Sequence, residues 1–218
     1  MIIKDISIKY KLPTTWNDIN LKQFNQLFKV NELNKELKED EMDKVLDNTV
    51  EFIHTLTGFD KEFIYNLETE KVKDLSVILL KLTNSSFNKV EDELIEIDGN
   101  LYKFDKDVTK MSFGQFVDLE HMTKDKNNVW EVAHYIAASF IRPVTKCNKL
   151  LNKGKKLFKV KLNSNSYQVE KYNSNTFVGR ANLFYEKLGM DYISTTTDFF
   201  LTLGNHLQNR IVDSSQSK

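Results

Sequence analysis

Apolar positions recur at helical spacing through most of this chain. After Pro13, the stretch TTWNDINLKQFNQLFKV places Leu21, Phe24, Leu27 and Phe28 on one face of a predicted helix. Residues 31–41 are polar and densely charged, which predicts a linker or an exposed helix end. A second helix is predicted over 41–57, with Met42, Val45, Leu46, Phe52, Ile53 and Leu56 inward and Gly58 where a left-handed cap belongs. Asp60 is placed to cap a short helix through Leu67. A further helix over 70–83 turns Val72, Leu75, Ile78, Leu79 and Leu82 inward.

The period drops to two in three places. Residues 2–10 alternate, with Ile6, Ile8 and Tyr10 on one side, and predict a short strand. ELIEIDGNLYKF (93–104) alternates on both sides of Asp98-Gly99, the signature of a tight hairpin. LFKVKL and SYQVEKY predict a second, weaker hairpin inside a polar, lysine-rich stretch over 144–174. Helical spacing returns in SFGQFVDLEHM and in NNVWEVAHYIAASFI, which must end before Pro143. Two closing helices follow, over about 175–188 and 191–211. The expected fold class is α+β, mainly α-helical with one or two small β-hairpins. It forms one domain over 1–212, divisible into a helical sub-domain 1–90 and a hairpin-plus-helix sub-domain 91–212. Residues 213–218 read as a disordered tail.

One pattern occurs twice. DINLKQFNQL (18–27) is echoed by KMSFGQFVDL (110–119), with Asn20 matching Ser112, Gln23 matching Gln115 and Phe24 matching Phe116. An N-cap residue followed three positions later by Gln is a capping box. Ile19 with Phe24, and Met111 with Phe116, have the spacing of a hydrophobic staple. The repeat is therefore explained by the physics of starting a helix, worth about 1–2 kcal/mol at each site, and requires no ligand.

Composition narrows the class. Two prolines and seven glycines in 218 residues favour long helices over a turn-rich sandwich. No apolar run approaches the roughly 18 residues that span a bilayer, and MIIKDISIKY lacks the apolar core of a signal peptide. A lone cysteine, Cys147, permits no internal disulfide and fits a reducing compartment. Net charge is zero, and only Arg142, Arg180 and Arg210 are arginines among 31 basic residues, which argues against a general nucleic-acid binder. Charge is nevertheless uneven: 31–74 holds thirteen acidic and six basic residues, whereas 142–161 holds eight basic and no acidic ones.

Candidate chemistry is sparse. His54, His121, His134 and His206 have no histidine or cysteine three or four residues away, so no helical metal pair is present. His54 and His134 read as structural histidines inside apolar-periodic helices. Cys147, flanked by Lys146 and Lys149, has no nucleophile signature around it. Glu91, Asp92 and Glu93 read as solvated, Ser and Thr at 194–197 lack a glycine elbow, and no glycine-rich phosphate loop occurs. No catalytic, cofactor-binding or metal residue is assigned, and no cofactor or enzymatic activity is expected. Lys155, Lys156, Phe158, Lys159 and Lys161 are the candidates for nucleic-acid contact, although their alternation also suits an exposed sheet edge. Phe184, Tyr185, Phe199, Phe200, Leu203 and Leu207 make the closing helices apolar on more than one side. They are the candidates for contact with a partner, against a plain core role.

Four stretches carry a resemblance: LPTTWNDINLKQFNQL, IDGNLYKFDKDVTKMSFGQFVDLE, SFIRPV and YNSNTFVGRANLFYEKLGMDYISTTTDFFLTLGNHL. Together they resemble small structural or assembly proteins of tailed bacteriophages, among them those of the crAss-like phages of gut Bacteroidales. The resemblance implies a non-enzymatic protein whose partners are other phage structural proteins or further copies of itself. It implies no membrane and places the chain in the virion, or in the bacterial host cytoplasm during assembly. Two roles fit: a virion tail or cargo component, and a tail-assembly chaperone absent from the mature particle. The resemblance supplies no site residue.

Overall fold

A computed structural model describes residues 12–35, 42–124, 126, 128–147 and 167–216. The strand expected over 2–10 lies outside them, as does most of the lysine stretch. The chain is a mainly helical α+β protein and divides into two compact units, Met1–Asn88 with Leu188–Asp191, and Lys89–Lys187 with Tyr192–Lys218.

Among its described residues the first unit carries the α-helices α1 (Leu21–Lys35), α2 (Met42–Thr57), α3 (Lys61–Tyr65) and α4 (Thr69–Thr83). At the start of α1 the capping box is complete. Asn20 Oδ1 accepts from the Gln23 amide at 2.9 Å, and Gln23 Oε1 accepts from the Asn20 amide at 3.0 Å. The α1 helix runs to Lys35, into the stretch read as linker or exposed helix end. Gly58 (φ +69°) closes α2, its amide bonding the His54 carbonyl at 2.7 Å. Asp60 caps α3 by accepting from Glu62 N at 2.8 Å. Ile19, Leu21, Leu27, Ile53, Leu56, Ile64, Leu75 and Leu79 form the core. Trp16, Phe24 and Phe87 stack at its side with ring centroids 4.9–5.9 Å apart, and Trp16 Nε1 donates to the Ser85 carbonyl at 2.9 Å. The predicted inward stripe of α2 holds only at its C-terminal end. Val45 and Leu46 are exposed, whereas Val50, Ile53 and Leu56 further along the helix are buried.

Leu188–Asp191 completes this unit. Gly189 bridges Asn20 in antiparallel fashion, Met190 N donates to the Ile19 carbonyl at 2.8 Å, and Asp191 accepts from Asn88 N at 2.8 Å.

The second unit contains β1 (Leu94–Ile97), β2 (Asn100–Phe104), α5 (Phe113–Thr123), α6 (Ala133–Phe140), β3 (Ile141–Cys147), β4 (Tyr167–Val169), α7 (Ser174–Lys187) and most of α8 (Met190–Gln216). The strands form one antiparallel sheet in the order β1-β2-β3-β4. Asp98 (φ +49°) and Gly99 (φ +77°) make the predicted hairpin turn, both in the left-handed region that a two-residue type I′ loop requires. The second hairpin differs from expectation. SYQVEKY supplies β4, but its partner is β3, and LFKVKL lies outside the described residues. Proline inside an inner strand removes a ladder donor. Here Ile141–Pro143 pairs with β2 and Val144–Cys147 pairs with β4, so Pro143 sits where the strand changes partner, and its carbonyl accepts from Glu170 N at 2.8 Å.

NNVWEVAHYIAASFI does not form one helix. A 3-10 turn at Val129–Glu131 precedes α6, in which every residue except Tyr135 is buried. This short helix is the centre of the unit and packs most extensively on α7. The α8 helix continues through residues 213–216, beyond the end expected near 211 and into the stretch read as a disordered tail.

Candidate functional site

The last four carbonyls of a helix have no partner within it. In α6 all four are satisfied from outside the helix, because the chain turns straight into β3. Ala137 O accepts from Ile141 N, Ala138 O from Arg180 Nε at 3.1 Å, Ser139 O from Gln115 Nε2 at 2.8 Å and Phe140 O from Asp105 N at 2.8 Å. Four segments are thereby fixed around one helix end.

Two buried arginines extend the cluster. Arg142 Nη2 donates to Asp105 Oδ2 at 2.5 Å and its Nη1 to the Glu170 carbonyl at 3.3 Å, while Arg180 Nη1 meets Glu170 Oε2 at 3.4 Å. Burial lowers the pKa of Arg180 from its usual value, partly opposed by Glu170. Tyr172 donates to Asp118 Oδ2 at 2.5 Å, and burial together with that bond raises its phenol above the usual range. Two cations are matched by two carboxylates and joined to backbone carbonyls. That arrangement positions helices against one another within the unit.

What this scaffold presents outward is α5. Its buried face consists of Gln115 and Leu119. On the other side Phe113, Phe116 and Val117, at i, i+3 and i+4, are 81%, 46% and 41% exposed. Apolar residues at that spacing ordinarily face a core; here a glutamine faces inward and two phenylalanines face water. Gln115 is held inward by the bond from its amide to the Ser139 carbonyl at the α6 end. Beside this ridge lies a polar cleft of about 710 Å³ lined by Ser112, Gly114, Asp118, Glu170, Lys171, Tyr172, Asn173 and Ser174.

The echo of the first helix start is thus only half reproduced. Ser112 Oγ accepts from Gln115 N at 3.2 Å, but the Gln115 side chain points to Ser139 and its Oε1 is buried without a hydrogen-bond partner among the described residues. The expected reciprocal bond gives way, and Phe116 is 46% exposed.

The residues proposed for partner contact separate into groups. Phe184 is fully buried, edge-on to Tyr102 with centroids 5.4 Å apart, and serves the core. Phe199 packs edge-on against Phe104 and Phe140 at 5.6 and 5.2 Å. Tyr185, Phe200 and Leu203 are half-buried, Tyr185 with its ring centroid 5.3 Å from His134; the side chain of Leu207 lies outside the described residues. So do Lys155, Lys156, Phe158, Lys159 and Lys161.

His54 Nδ1 lies 2.6 Å from the Phe59 carbonyl, the hydrogen-bonded structural role its helix implied. His134 is buried against Tyr135, and burial lowers its pKa to about 4. Thr196 and Thr197 hydroxyls donate back to the Ile193 carbonyl, a common arrangement of threonine within a helix. Among the described residues no three His, Cys, Asp or Glu side chains gather as a metal site, and no helix is long and apolar enough to cross a membrane.

Comparison of the chain with known proteins finds no matching family model, no matching curated protein and no matching solved structure.

Proposed function

We propose that this chain is a non-enzymatic component of a tailed-phage particle, a virion tail or cargo protein that acts by contact with other phage proteins. The observation that carries the reading is the Phe113–Phe116–Val117 ridge, an apolar stripe on the outer side of a helix whose inner side is already committed to the core. Apolar surface left in water costs about 25 cal/mol per Å² relative to burial, and a contiguous exposed stripe marks a place where another chain gains by covering it. The ridge rests on a scaffold fixed by the hydrogen bonds of the α6 end, so it is presented in one orientation before any partner arrives, which lowers the entropy lost on binding. The four sequence stretches similar to phage structural proteins supply the setting.

Mass spectrometry of purified particles of the phage that encodes the chain tests the reading. The expected result is stoichiometric presence. Absence from particles despite expression in the infected host would overturn the virion assignment and favour the tail-assembly chaperone.

A further inference from the structure

The N-terminal unit is discontinuous in sequence, and the place where the distant segment attaches is the start of α1 itself. Ile19, which accepts from Met190 N, directly precedes the N-cap of α1, and Asn20, which bridges Gly189, is that N-cap. Leu188, Gly189, Met190 and Asp191 are all buried, as is Ile19. There is no spare room in the contact. A Cβ on Gly189 would lie 2.4 Å from both the carbonyl and the side-chain oxygen of Asn17, and 2.8 Å from its Cα. Asp191 fastens the other end, accepting from Asn88 N at 2.8 Å and Asn88 Nδ2 at 3.3 Å across a sequence separation of 103 residues.

We infer that Leu188–Asp191 is a strap that gates the order of the N-terminal unit: docked, it holds the capped start of α1; undocked, α1 opens while the second unit remains folded. Three physical points lead there. Contacts between residues so far apart carry a large loop-closure cost in an unfolded chain, so the strap docks late. Undocking exposes the apolar Ile19, Leu188 and Met190 together and leaves the Asn88 amide without the Asp191 carboxylate, so docking is cooperative. Local opening then takes the form of a sub-global unit bounded by the strap and the helix it anchors.

The test is hydrogen exchange read by mass spectrometry on the full chain. Gly189→Val blocks the approach to Asn17 and is expected to speed exchange in peptides from Leu21–Lys35 at least tenfold, with the hairpin strands Leu94–Ile97 and Asn100–Phe104 at their original rates. Asp191→Ala, which keeps the glycine bridge and removes the Asn88 bonds, is expected to accelerate the same α1 peptides about threefold, and it serves alone if the valine variant does not fold. Wild-type rates over Leu21–Lys35 in Asp191→Ala, or equal acceleration of both units, would overturn the strap.

Discussion

At the start of α1, Gln23 works in three directions: its amide bonds Asn20 Oδ1, its Oε1 bonds Asn20 N, and its Nε2 donates to the Thr55 carbonyl in the last turn of α2 at 3.0 Å. At the start of α5, Gln115 keeps the first of these bonds and sends its Nε2 to the Ser139 carbonyl in the last turn of α6. Both glutamines therefore tie the start of one helix to the open end of the next, a device that the shared sequence pattern did not reveal as such. They differ in what happens to the neighbouring phenylalanine. Phe24 is covered by Trp16 and Phe87, whereas Phe116 joins Phe113 and Val117 on the surface. A capping pattern thus marks where each helix begins, while the burial of the phenylalanine that follows depends on aromatic partners outside that pattern.

The comparison can be broken first at Arg180. Arg180→Ala removes the donor to Ala138 O and leaves Glu170 without its buried partner, and unfolding in denaturant should show a loss of about 3–4 kcal/mol. A loss below about 1 kcal/mol would mean that the α6 end is not the organising point of the second unit.

Acid offers the next discrimination. His134 has a folded pKa of about 4, below its unfolded value of roughly 6.5, so the folded state favours the neutral ring. The resulting stability is fully present above pH 6.5 and is lost as pH falls toward 4, by at most about 3 kcal/mol. His134→Phe should flatten that part of the pH–stability profile, since it removes the group that must take up a proton on unfolding. An unchanged slope would place the acid sensitivity elsewhere.

The two glutamines can then be set against each other. Gln115→Ala leaves the Ser139 carbonyl buried without this donor and should cost about 2 kcal/mol. Gln23→Ala, at a half-buried position that water can reach in part, should cost about 1 kcal/mol. Denaturation midpoints of the two variants provide the check; the reverse order would contradict the greater burial assigned to Gln115.

Local signals were readable from sequence. Asp98-Gly99 specifies its turn through two positive φ angles, Asn20 and Gln23 complete a capping box within four residues, and Gly58 and Asp60 stop and restart helices where expected. Features decided by distant partners were not. Gln115 turns away from Ser112 because Ser139 lies above it, 24 residues later, and Arg142 finds Asp105 across 37 residues. Phe184 belongs to the core because Tyr102 covers it, whereas the stripe at Phe113, Phe116 and Val117 carries the spacing of a buried face and is exposed. No local pattern marks Leu188–Asp191 as part of the N-terminal unit; its only visible sign is a glycine between two helices. β4 was legible as a strand, but its partner was not, since β3 begins at the residue directly after a helix and contains a proline.

The smallest expected effect on stability accompanies the most direct test of function. The double variant Phe113→Ser, Phe116→Ser alters two exposed side chains and should change unfolding free energy by no more than about 0.5 kcal/mol. Its incorporation into purified phage particles, quantified by mass spectrometry against the wild-type chain, should fall at least tenfold if the ridge is the contact surface. Incorporation at the wild-type level, with folding intact, would contradict the account.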